Sequence, residues 1–158
     1  MIKVGDKIPS VKLKHMTKDG IKDITTDELF KGKVALFGLP GAFTPTCSAK
    51  HLPGFVQNSD ALRGKGVDRI VCLSVNDAFV MDAWGKNQSC GDKVMMLADG
   101  SGDFTKAVGL ELDMKSRGLG MRSQRYSMLV DNGVVRALNV EQPGKFEVSD
   151  ADTMLKSV

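Results

Sequence analysis

The stretch Val34-Ala35-Leu36-Phe37-Gly38-Leu39-Pro40-Gly41-Ala42-Phe43-Thr44-Pro45-Thr46-Cys47 decides how this chain is read. Its first six residues are an apolar run of strand length and read as a buried strand. Prolines and glycine at 40, 41 and 45 mark a loop, and Ser48-Ala49-Lys50-His51-Leu52 reads as the opening turns of a helix. Cys47 therefore stands where a loop becomes a helix N-terminus. Unpaired backbone N–H groups and the positive end of the helix dipole favour thiolate over thiol there. Thr44, three residues earlier, supplies a hydroxyl that both donates and accepts hydrogen bonds. Such a sulfur suits attack on something small and polar. The competing reading is a buried small hydrophobe, the usual fate of a free cysteine.

Outward from this stretch, strand-like and helix-like segments alternate. Upstream, Val11 to Leu13 predicts a short strand, Lys18-Asp19-Gly20 a turn, and Thr26 to Phe30 a capped helical turn stopped by Gly32. Downstream, a helix is expected from Cys47 towards Lys65, bent or interrupted at Pro53 and ended by Gly66. Arg69 to Val75 predicts the next strand, and Asn76-Asp77 opens a helix through about Gln88. Val94 to Ala98 predicts a third core strand and Asp103 to Val108 a short helix. Tyr126 to Val130 and Val134 to Leu138 flank Asp131-Asn132-Gly133, a strong hairpin signal. Ser149-Asp150 caps a last helix to Ser157. This order describes an α/β protein: a thioredoxin-like fold with a central mixed β-sheet flanked by helices. With no repeat, linker or low-complexity tract, residues 1–158 read as one domain. The Cys47 loop follows the carboxyl end of a strand, where open α/β sheets place their chemistry.

The segment from Pro40 to Cys47 closely resembles the active-site motif of the type II, or peroxiredoxin-5-like, peroxiredoxins. His51-Leu52-Pro53-Gly54-Phe55, Leu73 to Val80, Leu97 to Gly100, Arg122 to Tyr126 and Ala137 to Glu141 are similar to that subgroup in order and spacing. The resemblance runs from about Val4 to the C-terminus. It implies a thiol peroxidase that reduces hydrogen peroxide and small organic hydroperoxides. It further implies that Cys47 attacks the peroxide and becomes a sulfenic acid, that Thr44 orients the peroxide, and that Pro40 shields the sulfur from water. By register against Tyr126, Arg125 matches the family's active-site arginine, and Arg122 is expected at the surface or behind the site. A guanidinium at Arg125 would stabilise the thiolate and the charge growing on the leaving oxygen. A homodimer is implied as well, with Phe43 and Phe79, expected in loops near the active-site face, as contributors.

Bulk composition narrows the alternatives. Lys and Arg outnumber Asp and Glu by 22 to 19, and aromatics are 6% of residues, so nothing marks a nucleic-acid partner. No apolar run approaches the roughly 20 residues of a membrane span, and Met1 to Asp6 has no signal-peptide core. Three cysteines at irregular spacing argue against a disulfide framework, so the cytoplasm is the expected compartment, with an organelle reached through a trimmed targeting peptide as the alternative. No spacing suits a metal or a phosphate loop, and no cofactor is expected.

The remaining chemistry concerns His51 and the other two cysteines. His51 lies four residues after Cys47 and could pair with it as a base, although a role in supporting the loop is favoured. Cys72, mid-strand, is expected to be buried, yet it matches a second cysteine of plant type II members. Cys90 is expected on an exposed loop. Residues 146–158 contain no cysteine, which closes the C-terminal resolving route of some relatives. Reduction by an external thiol is therefore expected, glutathione with glutaredoxin ahead of thioredoxin. A non-enzymatic peroxide sensor or redox relay built on Cys47 is the alternative from another class.

Overall fold

The computed structural model describes residues 1–158. The chain opens with a hairpin, β1 (Lys12–Thr17) and β2 (Gly20–Thr25), then a single helical turn, α1 (Thr26–Leu29), capped by the Thr25 hydroxyl. Strand β3 (Lys33–Gly38) leads through the 39–44 loop into helical backbone at Pro45. That helix widens into a π-turn at Cys47–His51, continues as α2 (Leu52–Gln57) and restarts as α3 (Ser59–Gly64). Next come β4 (Arg69–Ser74), α4 (Ala78–Asn87), β5 (Met95–Ala98) and α5 (Asp103–Ala107). A small hairpin, β6 (Glu111–Met114) and β7 (Gly120–Ser123), precedes β8 (Tyr126–Asp131), β9 (Val134–Val140) and the terminal α6 (Ala151–Ser157).

Seven strands form one mixed sheet in the order β2-β1-β5-β4-β3-β8-β9, with β3, β4 and β5 parallel and the outer pairings antiparallel. Side-chain alternation sorts the core into two halves. Ala35, Phe37, Ile70 and Cys72 point to one face, where they pack with Cys47, Phe55, Trp84 and Met154 of the flanking helical segments. Val34, Leu36, Val71 and Leu73 point to the other, against Leu29, Phe104 and Val108. Both faces of β3 and β4 are thus covered, which is why these strands read as unbroken apolar runs.

Several expectations are corrected. The N-terminal strand is longer than Val11–Leu13, and β2 was not foreseen, because its Lys22-Asp23 edge is exposed and carries little apolar signal. The helix after Cys47 breaks at Asn58, not at Pro53. Pro53 directly follows the π-turn, which the Leu52 N–H closes onto the Cys47 carbonyl, so the helical backbone passes through the proline without breaking. The β6–β7 hairpin was also missed, since Glu111 and Asp113 alternate with only two half-buried apolar residues. The Asn132-Gly133 turn has positive φ at both residues, 48° and 81°, as a two-residue hairpin of this hand requires.

Candidate active site

Pairing of β8 with β3 builds the site. Tyr126 lies opposite Gly38 at the end of β3, so Arg125 emerges beside the loop that carries Cys47. The close approach depends on glycine: a Cβ at residue 38 would collide with the Tyr126 ring. Arg125 Nη2 donates to Cys47 Sγ at 3.2 Å, and Arg125 Nη1 donates to His51 Nδ1 at 2.9 Å. His51 Nε2 lies 3.0 Å from the Ser149 carbonyl oxygen. Arginine only donates and a carbonyl only accepts, so a neutral imidazole protonated on Nε2 satisfies both contacts. Burial, reinforced by the Arg125 charge, lowers the His51 pKa to about 3, which keeps the ring neutral. His51 is therefore a buried acceptor that holds the arginine, rather than a base beside the sulfur. The role expected for it is support of the loop; its hydrogen bonds run instead to Arg125 and the Ser149 carbonyl.

Glu141 anchors this chain of contacts from the far side. Its carboxylate accepts from the backbone N–H groups of Glu147, Val148 and Ser149 and from the Ser149 hydroxyl at 2.7 Å. Burial pushes the Glu141 carboxyl up, but these hydrogen bonds outweigh it and hold it below the usual range. The segment leading to α6 is thereby folded back so that the Ser149 carbonyl faces His51. Phe146, in that segment, packs its ring 5.1 Å from His51 and lies 5.9 Å beneath the Arg125 guanidinium carbon, within cation–π range.

The loop before Cys47 is pinned separately. Asn76 Oδ1 accepts from the Ala42 N–H at 3.0 Å and from the Ser74 hydroxyl at 2.6 Å. Thr44 Oγ1 donates to the Gly41 carbonyl at 2.6 Å, which leaves its lone pairs as acceptors. Arg122 is drawn in from behind: its Nε donates to the Leu119 carbonyl at 2.7 Å and its Nη1 reaches the Pro40 carbonyl at 3.5 Å. Phe43 adopts φ 62°, a left-handed conformation unfavourable for a bulky residue, at the tip of this loop. Beside Cys47, Trp84 Nε1 donates to Ser48 Oγ at 3.0 Å.

Pro40, Thr44 and Arg125 line one cavity of about 420 Å³. Cys47 has no exposed surface, and Arg125 is the residue that both lines the cavity and touches the sulfur. All four residues named from the sequence are thus gathered at one place. Glu141, Ser149, Phe146 and Asn76 were not singled out. Their roles depend on how distant loops close, and only the spacing of His51 from Cys47 hinted at a helper.

The other thiols differ. Cys72 is fully buried in β4, and its thiol is pushed well up, mainly by burial and further by Cys47 and Cys90. Cys90 is buried rather than exposed as expected; the turn after α4 folds it against the core, and burial raises its pKa to about 11. A thiol so raised is a poor nucleophile near neutral pH.

A thioredoxin-like sheet whose central strand leads to a cysteine at a helix start, with an arginine on the sulfur, defines the class of thiol-dependent redox proteins. Residues 3–155 match the Redoxin family. The chain is 51% identical to chloroplastic peroxiredoxin-2E of Arabidopsis thaliana, over 99% of this chain and 69% of that one. It is 49% identical to Arabidopsis thaliana peroxiredoxin-2B, over 99% and 98% of the two chains. A crystal structure of reduced Prx3 from Vibrio vulnificus in complex with hydrogen peroxide superposes with a TM-score of 0.96 at 53% identity, over 99% of both chains. The protein belongs to the peroxiredoxins of the Redoxin family, in the type II, peroxiredoxin-5-like group. It is a thiol peroxidase with an antioxidant function.

Proposed function

We propose that Cys47 is the peroxide-reducing thiol and that hydrogen peroxide and small organic hydroperoxides are its substrates. The observation that carries this reading is the 3.2 Å contact from Arg125 Nη2 to Cys47 Sγ, on a guanidinium fixed by neutral His51. The Cys47 thiolate attacks the terminal peroxide oxygen; an S–O bond forms as the O–O bond breaks. The leaving oxygen takes up a proton and departs as water or an alcohol. Arg125 stabilises the charge developing on that oxygen, and Thr44, with its own hydrogen committed to Gly41, accepts the peroxide O–H. Pro40 restricts water at the sulfur. The binding of hydrogen peroxide by the Vibrio vulnificus Prx3 supports the substrate.

For the return half-reaction, an external thiol attacks the sulfenic sulfur, releasing water and forming a mixed disulfide. A second thiol then frees Cys47 and leaves as the oxidised reductant. An external thiol is favoured over an internal one because Cys72 and Cys90 are both buried with raised thiols, and glutathione with glutaredoxin is placed ahead of thioredoxin. Cys72 is near enough to feel the charge of Cys47 and of Arg125, so it is the internal alternative. Phe43 and Phe79, 53% and 68% exposed, support a homodimer formed around the active-site face, although Phe79 lies in the first turn of α4 rather than in a loop. A cytoplasmic setting is consistent with the free thiols, an organelle being the alternative, and no helix is long and apolar enough to cross a membrane. Peroxide consumption assayed separately with thioredoxin and with glutathione plus glutaredoxin tests both halves. Turnover with glutathione plus glutaredoxin is expected; turnover only with thioredoxin would reverse the order of reductants.

A further inference from the structure

The cavity above Arg125 is far larger than hydrogen peroxide needs. A water occupies about 30 Å³ in the liquid, so hydrogen peroxide takes roughly 60 Å³, whereas the cavity measures about 420 Å³. Beyond Pro40, Thr44 and Arg125 it runs between the β6–β7 hairpin and the 141–145 segment. Leu112, Met114 and Leu119 give it an apolar wall, and Arg117 and Lys145 bring two cations to it. Neither cation takes part in any of the salt bridges. The one acidic residue lining the cavity, Glu141, has its carboxylate occupied by three backbone N–H groups and the Ser149 hydroxyl. The proposed reactive end, three apolar side chains and two cations free of salt bridges thus line a single space.

We infer that this cavity selects organic hydroperoxides that carry a carboxylate, such as hydroperoxides of medium-chain fatty acids, with Leu112, Met114 and Leu119 taking the chain and Arg117 and Lys145 the carboxylate. The inference rests on Cys47 being the peroxide-reducing thiol. In the reaction the outer hydroperoxide oxygen is transferred to the Cys47 sulfur, which is oxidised by two electrons. The O–O bond is reduced, and the leaving alkoxide takes up a proton and departs as a hydroxy acid. Because Arg117 and Lys145 are solvent-exposed, their effect is moderate and screened by salt.

The test is stopped-flow oxidation of Cys47 by a medium-chain ω-hydroperoxy fatty acid, by its methyl ester and by hydrogen peroxide. The acid is expected to react faster than the ester in the wild type, with the preference shrinking as salt is added. In an Arg117→Glu/Lys145→Glu double variant, the acid-to-ester rate ratio should fall about tenfold. Equal wild-type rates for acid and ester, or a ratio that survives charge reversal, would overturn the inference. So would a variant that leaves the ratio intact and slows only re-reduction by glutathione relative to 2-mercaptoethanol, since the cations would then serve the reductant. Failure of the wild type to react even with hydrogen peroxide would remove the underlying reading of Cys47 as well, and that arm distinguishes the two failures.

Discussion

At the scale of single residues, the geometry makes Arg125 a shared donor, one nitrogen on Cys47 and the other on His51. Lysine keeps the charge but offers no planar fork, so it cannot serve both acceptors at once. Arg125→Lys should slow oxidation of Cys47 by peroxide at least about tenfold, the scale of one lost charge-assisted hydrogen bond; a wild-type rate in rapid-mixing experiments would show the fork to be dispensable. His51 makes a second prediction. His51→Leu removes the acceptor and should also slow Cys47 oxidation, while His51→Asn, which retains an acceptor near the Nδ1 position, should recover part of the rate. The pH dependence has a definite sign. His51 has a pKa of about 3 in the fold against 6.5 for a free imidazole, so the unfolded chain binds the extra proton first. Stability therefore falls as pH drops from about 6.5 towards 3, by up to about 1.4 kcal/mol per unit from this group. His15, also lowered chiefly by burial, adds a slope of the same sign. The wild-type slope minus that of His51→Leu isolates His51, and urea unfolding of both proteins between pH 5 and 6.5 should show the shallower slope in the variant.

At the scale of elements, the site depends on β8 lying close against β3 and on the 141–149 segment being folded back. Gly38→Ala drives a Cβ into the Tyr126 ring, and overpacking of this kind costs roughly 1–3 kcal/mol. A lowered urea midpoint is expected, and an unchanged one would mean that β8 shifts freely. Glu141→Gln replaces an acceptor-only group facing three N–H donors with one that presents N–H itself, and should lose roughly 1.5–3 kcal/mol. The same substitution should raise hydrogen exchange at Glu147, Val148 and Ser149. The elements themselves were largely legible in the chain. The apolar runs of β3 and β4 and the Asn132-Gly133 turn are local signals that survive folding unchanged. What could not be read were features with a weak apolar signal, β2 and the β6–β7 hairpin, both half-exposed local pairings, and the π-turn, which has no sequence pattern of its own. The burial of Cys90 likewise follows from how the turn after α4 docks, which its polar flanks in Gln88-Ser89-Cys90-Gly91 conceal. For the site, Cys47, Thr44, Pro40 and Arg125 lay in local motifs, whereas Glu141 acts through a segment whose path only the folded chain defines.

At the scale of the whole molecule, two exposed phenylalanines and one buried sulfur determine the behaviour. Phe43 packs its ring at 6.4 Å from Trp84, and both Phe43 and Phe79 remain open to solvent in the single chain. If they are covered by a second copy, Phe43→Glu/Phe79→Glu should sediment as a monomer where the wild type sediments as a dimer; identical sedimentation would remove these residues from the interface. Internal resolution by Cys72 would require β4, a central strand, to release a fully buried residue, a costly local opening. An external thiol can approach through the cavity that Arg125 lines and needs only the backbone around the buried Cys47 to open, leaving the central strand in place. The central claim, that Cys47 is the nucleophile and is recycled from outside, meets its most direct test in mass spectrometry of the protein after one equivalent of hydrogen peroxide with glutathione present. A glutathione adduct confined to Cys47 is predicted, absent in Cys47→Ser and undiminished in Cys72→Ser. A rapidly formed Cys47–Cys72 disulfide in its place, with turnover lost in Cys72→Ser, or full peroxidase activity in Cys47→Ser, would contradict it.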